Sequence, residues 1–589
     1  MENFGKVSGV VANLVTVQLA GPVSQNEIAY LHREGQKLMA EVIKVQGEQA
    51  FIQVFESTRG VRVGDPVEFV RHKLEVKLGP GLLGKIYDGL QNDLSALPGL
   101  FLQKGEYFEA LNLESIWDFS PLAQVGQKVK AGDWLGEVPE NWLSHKIMVP
   151  FHLEGIWEIG HIEPPGQYSL SHPIARLKHP SGEETEVPMF QFWPVKEALQ
   201  IHLDKPRPTK ILETGIRVFD TLAPIAEGGT GFIPGPFGSG KTILQHALSK
   251  QANADIIIIA ACGERANEVV EIFKEFPELD DPRTGRKLME RTIIISNTSN
   301  MPVAAREASV YTAVAIGEYY RAMGLKVLIL PDSTSRWAQA LREMSNRMEE
   351  LPGPDAFPMD LPAIISNFYA RAGQVSLRNG HSGSITILGT VSPAGGNLKD
   401  PVAEATKKAT RCFYALSQAR ADSKRYPAVD PIDSYSKYLE YPDVRDFLNQ
   451  EIAPDWTEKI STLKNLLRLG QEAASQINIL GDDSVPIEYH VHFWRAETID
   501  FVILQQDAFD AIDASTPLQR QHYMLDLVLN ICQTDFALED FEAVSRFFKQ
   551  VINLGKQMNY TVFDSEDFKK YESELKSWCR SAQAVLAEN

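Results

Sequence analysis

Apolar and polar residues alternate along three early stretches: Leu14-Val15-Thr16-Val17-Gln18-Leu19, Glu41-Val42-Ile43-Lys44-Val45 and Ala50-Phe51-Ile52-Gln53-Val54-Phe55. Successive side chains of a strand point to opposite faces, so this alternation predicts strands buried on one side. Gly47 and Gly64-Asp65 punctuate them as turns. Short strands at this spacing predict a small closed barrel over residues 1–72. A β-rich insertion is expected over residues 110–190. There Val125-Gly126-Gln127-Lys128-Val129-Lys130-Ala131-Gly132-Asp133 is echoed weakly by Val61-Arg62-Val63-Gly64-Asp65. With His145-Lys146-Ile147-Met148-Val149 it faintly resembles a biotinyl or lipoyl hairpin, which would make Lys146 a modified lysine, but a plain β-rich insertion accounts for the pattern without chemistry.

The pattern then changes period. Ile256-Ile257-Ile258-Ile259-Ala260, Thr292-Ile293-Ile294-Ile295-Ser296, Lys326-Val327-Leu328-Ile329-Leu330 and Ser384-Ile385-Thr386-Ile387-Leu388 are nearly uninterrupted apolar runs. Such runs are expected of parallel strands covered on both faces by helices. Between two of them, Ser299-Asn300 offers helix caps, Pro302 suits a first turn, and Gly324 stops a helix reaching about Met323. Residues 73–109 and 191–440 are therefore expected to form a parallel-sheet α/β domain, entered through Trp193-Pro194 and Lys205-Pro206-Arg207-Pro208. Leu463, Leu466, Leu467 and Ile477 open a stretch with helical spacing, which recurs over 523–532, 541–554 and 564–586. Residues 441–589 are expected to be a helical bundle. The predicted class is thus an α/β core with an N-terminal β-barrel, a β-rich insertion and a C-terminal helical bundle.

Bulk composition narrows the function. The chain has 589 residues and a formal net charge of -19, which argues against a surface built to neutralise nucleic-acid phosphates. Cys262, Cys412, Cys532 and Cys579 are far apart, so neither a zinc site nor a disulfide framework is indicated, and free thiols in a reducing compartment are expected. His490-Val491-His492 lacks a third ligand nearby and reads as structural. The leading residues lack the basic stretch and apolar core of a signal peptide, and no apolar run is long enough to span a bilayer. A soluble cytoplasmic chain is expected, reaching a membrane only through other proteins.

The chemistry centres on Gly235-Pro236-Phe237-Gly238-Ser239-Gly240-Lys241-Thr242, which reads G-x-x-x-x-G-K-T. Its glycines let the backbone wrap around one anion, and the helix that follows favours phosphate at its N-terminus. Lys241 is expected to reach the β- and γ-phosphates, and the Thr242 hydroxyl to hold Mg²⁺ alongside ATP or ADP. Ile243 continues the loop into the helix. Asp332 ends an apolar run, where a carboxylate either supports Mg²⁺ through water or caps the next helix. Glu264, in Cys262-Gly263-Glu264-Arg265, is either the carboxylate that positions an attacking water or half of a surface pair with Arg265. In the first case Arg265 stabilises phosphate charge, directly or through Glu264.

In that order, the phosphate loop, Gly263-Glu264-Arg265, residues 297–309, Asp332-Ser333-Thr334-Ser335-Arg336-Trp337-Ala338, Thr390-Val391-Ser392-Pro393, Tyr426-Pro427 and Ser434-Tyr435-Ser436 resemble the catalytic A subunit of V-type and archaeal-type rotary ATPases, in its bacterial form. Upstream, Tyr87-Asp88-Gly89 and the insertion do so too, and the insertion separates the chain from F-type β subunits. The resemblance covers essentially the whole chain. It implies a ring of alternating A and non-catalytic B subunits around a central stalk, with a peripheral stalk and a membrane sector formed by other subunits. It implies ATP hydrolysis or synthesis coupled to proton or sodium transport. It makes Glu264 the catalytic carboxylate, Lys241 and Thr242 the phosphate and Mg²⁺ ligands, Asp332 the second Mg²⁺ support and Tyr426 an aromatic that packs on adenine, with Phe509 near the same pocket. An arginine finger would come in trans from the B subunit. The chain departs from the family at Ala266, where glycine is usual, at Pro331 before the strand-end aspartate, and over 417–423. Ser239 stands where eukaryotic relatives often carry cysteine. Two other readings share the core motif: a hexameric nucleic-acid translocase, opposed by the acidic charge, and an inactive ring subunit, opposed by Glu264 and the complete loop.

Overall fold

Six strands, Asn3–Val11, Leu14–Leu19, Glu27–Arg33, Gln36–Gln46, Gln49–Val54 and Pro66–Lys73, close into a barrel. Val15, Val17, Leu31, Val42, Ile52 and Val67 meet inside it, so one set of the alternating positions fills the barrel, as the pattern requires. The computed structural model describes residues 3–96, 107–236, 238–265, 274, 276–299 and 301–588. The chain divides into two units, Met1–Arg207 with Ala254–Val391 and Pro401–Ala409, and Pro208–Asn253 with Ser392–Asp400 and Thr410–Asn589.

In the first unit the barrel is followed by two four-stranded sheets. One runs in the order Lys128–Val129, Trp157–Ile162, Ala175–Lys178, Glu184–Val187. The other runs Leu143–Met148, Trp134–Glu140, Ile116–Pro121, Gly166–Ser169. Lys146 is an ordinary structural cation here: it pairs with Glu137, donates to Ser144 Oγ at 3.0 Å and lies over the Trp134 ring. His145 is fully buried, its Nδ1 at 2.6 Å from Glu140 Oε2 and its Nε2 at 2.8 Å from the Tyr319 hydroxyl, which fastens this insertion to a core helix.

That helix, Val303–Arg321, packs on a parallel sheet whose order is Ile86–Tyr87, Thr292–Thr298, Ile256–Glu264, Lys326–Asp332, Ser382–Val391. From Ile256–Glu264 the chain moves to one side to form Thr292–Thr298, then crosses to the other side to form Lys326–Asp332. This reversal is the topological switch point at whose carboxyl ends open α/β sheets bind ligands. The strands outrun their apolar runs by two to four residues, ending at Glu264, Thr298, Asp332 and Val391. Polar tips carry no core-packing signal, yet their backbone stays in the ladder. Pro302 sits at the N-cap of Val303–Arg321, one position ahead of the expected first turn, and Gly324 (φ 80°) follows its end as predicted.

In the second unit, Thr230–Pro234 pairs in parallel with Cys412–Phe413, which pairs antiparallel with Tyr435–Ser436. The helix Lys241–Gln251 follows the first of these and buries Leu244 and Leu248. Helices Pro442–Glu451, Trp456–Leu480, Ile487–Ile499, Leu518–Gln533, Phe541–Asn559 and Glu566–Glu588 complete the unit. Leu463, Leu466 and Leu467 are buried as their spacing predicts, and Ile477, nearer the helix end, is half-buried. The predicted class holds in all its parts: α/β core, amino-terminal barrel, β-rich insertion and helical carboxyl end. Among the described residues no helix is long and apolar enough to cross a membrane.

Candidate nucleotide site

The phosphate loop joins Thr230–Pro234 to Lys241–Gln251. Gly238 and Gly240 take φ of 80° and 88°, which side-chain-bearing residues rarely adopt. Gly240 caps the helix, and its carbonyl accepts from the Leu244 N–H at 3.0 Å. A helix start leaves its leading N–H groups outside the helical ladder, and with the aligned peptide dipoles these make an anion seat. The Ser239 hydroxyl donates to Pro236 O at 2.8 Å, closing the loop on itself. Lys241 Nζ donates to Gly235 O at 2.8 Å and Pro236 O at 2.7 Å, so the ammonium lies over the loop it is meant to serve. Thr242 is half-buried and Ile243 exposed at the start of the helix. Phe237 lies outside the described residues.

Beside the loop is a cavity of about 470 Å³ whose lining includes Gly240, Ile243, Tyr426, Phe501, Gln505 and Phe509. Clefts of a few hundred Å³ lined mainly by apolar and aromatic groups suit small organic ligands. Tyr426 is fixed from its backbone, since its carbonyl accepts from the Gln506 N–H at 2.8 Å. Phe509 is largely exposed and lines the same cavity as Tyr426. Phe501 is stacked by two cations, Lys556 Nζ at 4.2 Å and Arg425 Cζ at 4.8 Å from the ring centre.

The cavity wall is held by a residue that the sequence reading missed. Arg217, 1% exposed, donates from Nε to Ile503 O at 2.9 Å and from Nη1 to Asp513 Oδ1 at 2.5 Å. Nη1 also reaches Thr516 Oγ1 at 3.0 Å, Nη2 donates to Gln505 O, and the Arg217 N–H donates to Gln506 Oε1 at 2.9 Å. Its partners lie almost 300 positions away, where no periodicity links them. A nearby Asp220 carboxylate accepts from the Thr214 N–H and hydroxyl, the Gly215 N–H and Gln521 Nε2, all within 3.0 Å. Burial pushes its carboxyl up to about 7, against the lowering effect of those donors.

In the first unit, Glu264 and Asp332 come together at the strand tips. Ala261 and Asp332 are register partners, and the Ser333 N–H donates to Glu264 Oε1 at 3.1 Å. Gly263 takes φ 93°, and a Cβ there would meet Arg306 Cδ at 3.1 Å, so glycine allows both the turn of the chain into Glu264 and the close packing of Arg306. Arg265 follows, exposed, just past the strand. Asp332 Oδ1 accepts from the Thr390 hydroxyl at 2.6 Å. The Cys262 thiol records the charge of this corner: burial first, and then Asp332 and Glu264, push it up to about 12. The hydroxyls of Thr298 and Ser333 are buried here and have no hydrogen-bond partner among the described residues. Thr298 is the register partner of Glu264. This pair of carboxylates among unspent hydroxyls can hold water and a hard cation.

Elsewhere, His490 Nε2 lies 3.0 Å from Asp482 O and its ring stacks on Phe541, a structural role as expected. No cluster of three or more metal-ligating side chains of the His, Cys, Asp and Glu types occurs among the described residues. The four cysteines are free.

Four family models match the chain. The "ATP synthase alpha/beta family, nucleotide-binding domain" covers residues 215–436 and the "beta-barrel domain" of that family covers 7–71. The "ATPsynthase alpha/beta subunit barrel-sandwich domain" covers 108–196, and the "C-terminal domain of V and A type ATP synthase" covers 445–544. The V-type ATP synthase alpha chain 1 of Treponema pallidum (strain Nichols) is 47% identical over 585 residues, 99% of this chain and 97% of that one. The V-type ATP synthase alpha chain of Borrelia duttonii (strain Ly) is 47% identical over 587 residues, 99% of each. That of Protochlamydia amoebophila (strain UWE25) is 47% identical over 576 residues, 97% of this chain and 96% of the relative.

Proposed function

This chain belongs to the ATP synthase alpha/beta family, among the V-type alpha chains, and from that premise we propose how its residues divide the work. The chain is the catalytic subunit of a V-type ATPase or ATP synthase, coupling ATP hydrolysis or synthesis to ion transport. Residues 235–242 cradle the phosphates, with Lys241 on the β- and γ-oxygens. Tyr426 stacks on the base within the cavity, and Phe509 closes its rim. Glu264 orients and deprotonates the attacking water, and Arg265 balances the charge that develops on phosphate. The observation that carries this reading is a phosphate loop opening directly onto a base-sized aromatic cavity.

Mg²⁺ is the cofactor that this chemistry implies. The donors fit it: the Thr242 hydroxyl and the Asp332 carboxylate are hard oxygen ligands, and Mg²⁺ typically takes one or two protein oxygens and completes its shell with phosphate and water. When bound, it neutralises charge on the β- and γ-phosphates. The protein's own part is to hold those two oxygens, fix Glu264 through the Ser333 N–H, and present the loop's N–H groups to the phosphates.

We further propose that the chain alternates with non-catalytic B subunits in a ring, peripheral to the membrane and on its cytoplasmic side, joined to central and peripheral stalks. The B subunit supplies an arginine in trans. Such a finger contributes about 10³–10⁵ in rate, so the isolated chain is expected to be a poor ATPase that gains strongly on mixing with its partner. The test is Glu264→Gln in the assembled ring: nucleotide binding is retained while turnover falls by at least ~10²-fold. Near-normal turnover in that variant overturns the assignment.

A further inference from the structure

We propose that Thr390 is a positioning residue for Asp332, one that sets how strongly the site takes its divalent cation. The proposal rests on the reading of Asp332 as a Mg²⁺ support.

Thr390 is the penultimate residue of Ser382–Val391, the strand beside Lys326–Asp332. Their register runs Lys326 with Ser384 through Ile329 with Ile387, an offset that brings Thr390 level with Asp332 at the tips. The Thr390 hydroxyl donates to Asp332 Oδ1 at 2.6 Å, within the short range of charge-assisted O–H···O⁻ bonds. The Thr390 carbonyl accepts from the Thr334 hydroxyl at 2.8 Å. One residue therefore ties both ends of the segment 332–334, which also contains the N–H that holds Glu264. Thr390 is fully buried, so water does not compete for its hydroxyl.

The consequence is electrostatic and geometric. A carboxylate that gives one oxygen to a neutral donor keeps its charge but loses a rotational degree of freedom. Its other oxygen is then aimed, and the cation-binding side chain needs no reordering when the ion arrives. Valine has the shape of threonine without the donor, so Thr390→Val removes this control and little volume. Serine keeps the hydroxyl.

The experiment titrates the full-length chain with a fluorescent ADP analogue, with and without Mg²⁺, and reads the Mg²⁺ concentration that half-saturates the cation-dependent gain in affinity. Loss of a partner that orients a metal ligand typically costs 10–100-fold in metal affinity. Thr390→Val is expected to raise the half-saturating Mg²⁺ by about 10-fold, with Mg²⁺-free affinity within about twofold of wild type and Thr390→Ser close to wild type. If Thr390→Val leaves the Mg²⁺ requirement unchanged while Asp332→Asn raises it, the proposal fails and the reading of Asp332 survives. If Asp332→Asn also changes nothing, both fail. Equal loss of affinity with and without Mg²⁺ in Thr390→Val makes the hydroxyl merely structural, and that too overturns the proposal.

Discussion

Arg217→Met should loosen the cavity proposed to hold the base without touching the phosphate loop. The guanidinium makes four hydrogen bonds, to Ile503 O, Asp513 Oδ1, Thr516 Oγ1 and Gln505 O, and all are lost. The larger effect is the stranded Asp513, only 3% exposed, whose other carboxylate oxygen accepts from the Asp507 N–H at 2.7 Å. Removing one member of a buried ion pair costs about 3–5 kcal/mol, because the other charge is left in a poor solvent. At 1.4 kcal/mol per factor of ten, local opening of the wall becomes roughly 10² to several times 10³ more frequent. Amide exchange across 501–516 reports this opening, and a titration with fluorescent ADP reports its effect on binding. The double variant Arg217→Met with Asp513→Leu removes the stranded charge and should recover part of the protection, although neither single change does. Exchange within about threefold of wild type in Arg217→Met, or a double variant worse than the single one, would refute the claim that this pair holds the wall.

Two further outcomes follow from the same geometry. Tyr426→Ala should weaken ADP binding by roughly 5- to 150-fold, the equivalent of ~1–3 kcal/mol of base stacking. Tyr426→Phe should bind nearly as well as wild type, because the hydroxyl makes only a 3.4 Å contact with Ala421 O; equal binding by all three proteins in a fluorescence titration would remove Tyr426 from the site. Burial pushes Cys262, Cys412 and Cys532 up to about 12 and Cys579 up to about 11. At pH 8 a thiol at about 12 is only about one part in 10⁴ thiolate, so mass spectrometry after mild alkylation should find those three unmodified in the folded chain and all four modified after denaturation. Rapid native labelling of Cys262 would place it outside the buried strand tip.

The parts of this protein that could be read from its sequence are those in which function is local along the chain. The phosphate loop is one run of eight residues, and its glycines, lysine and threonine each announce a job. The four apolar runs of the sheet could be read for a similar reason: burial on both faces leaves no polar position to confuse them. The strand tips were harder. Glu264, Asp332 and Thr390 remain in the ladder, but a polar residue after an apolar run looks the same whether it ends the strand or starts a loop. Thr390 stood in a run that resembles the family, but nothing along the chain tied it to Asp332, since its partner is 58 positions away and only strand adjacency joins them. The cavity proposed for the base is the extreme case. Its walls come from residues near 216, 240, 426, 505 and 556, and the ion pair that fixes them spans 296 positions. A loop around phosphate can be written in consecutive residues because the backbone itself is the ligand. A pocket for a flat base needs two faces and an edge, which one segment cannot supply, so its chemistry becomes visible only after the helices have packed.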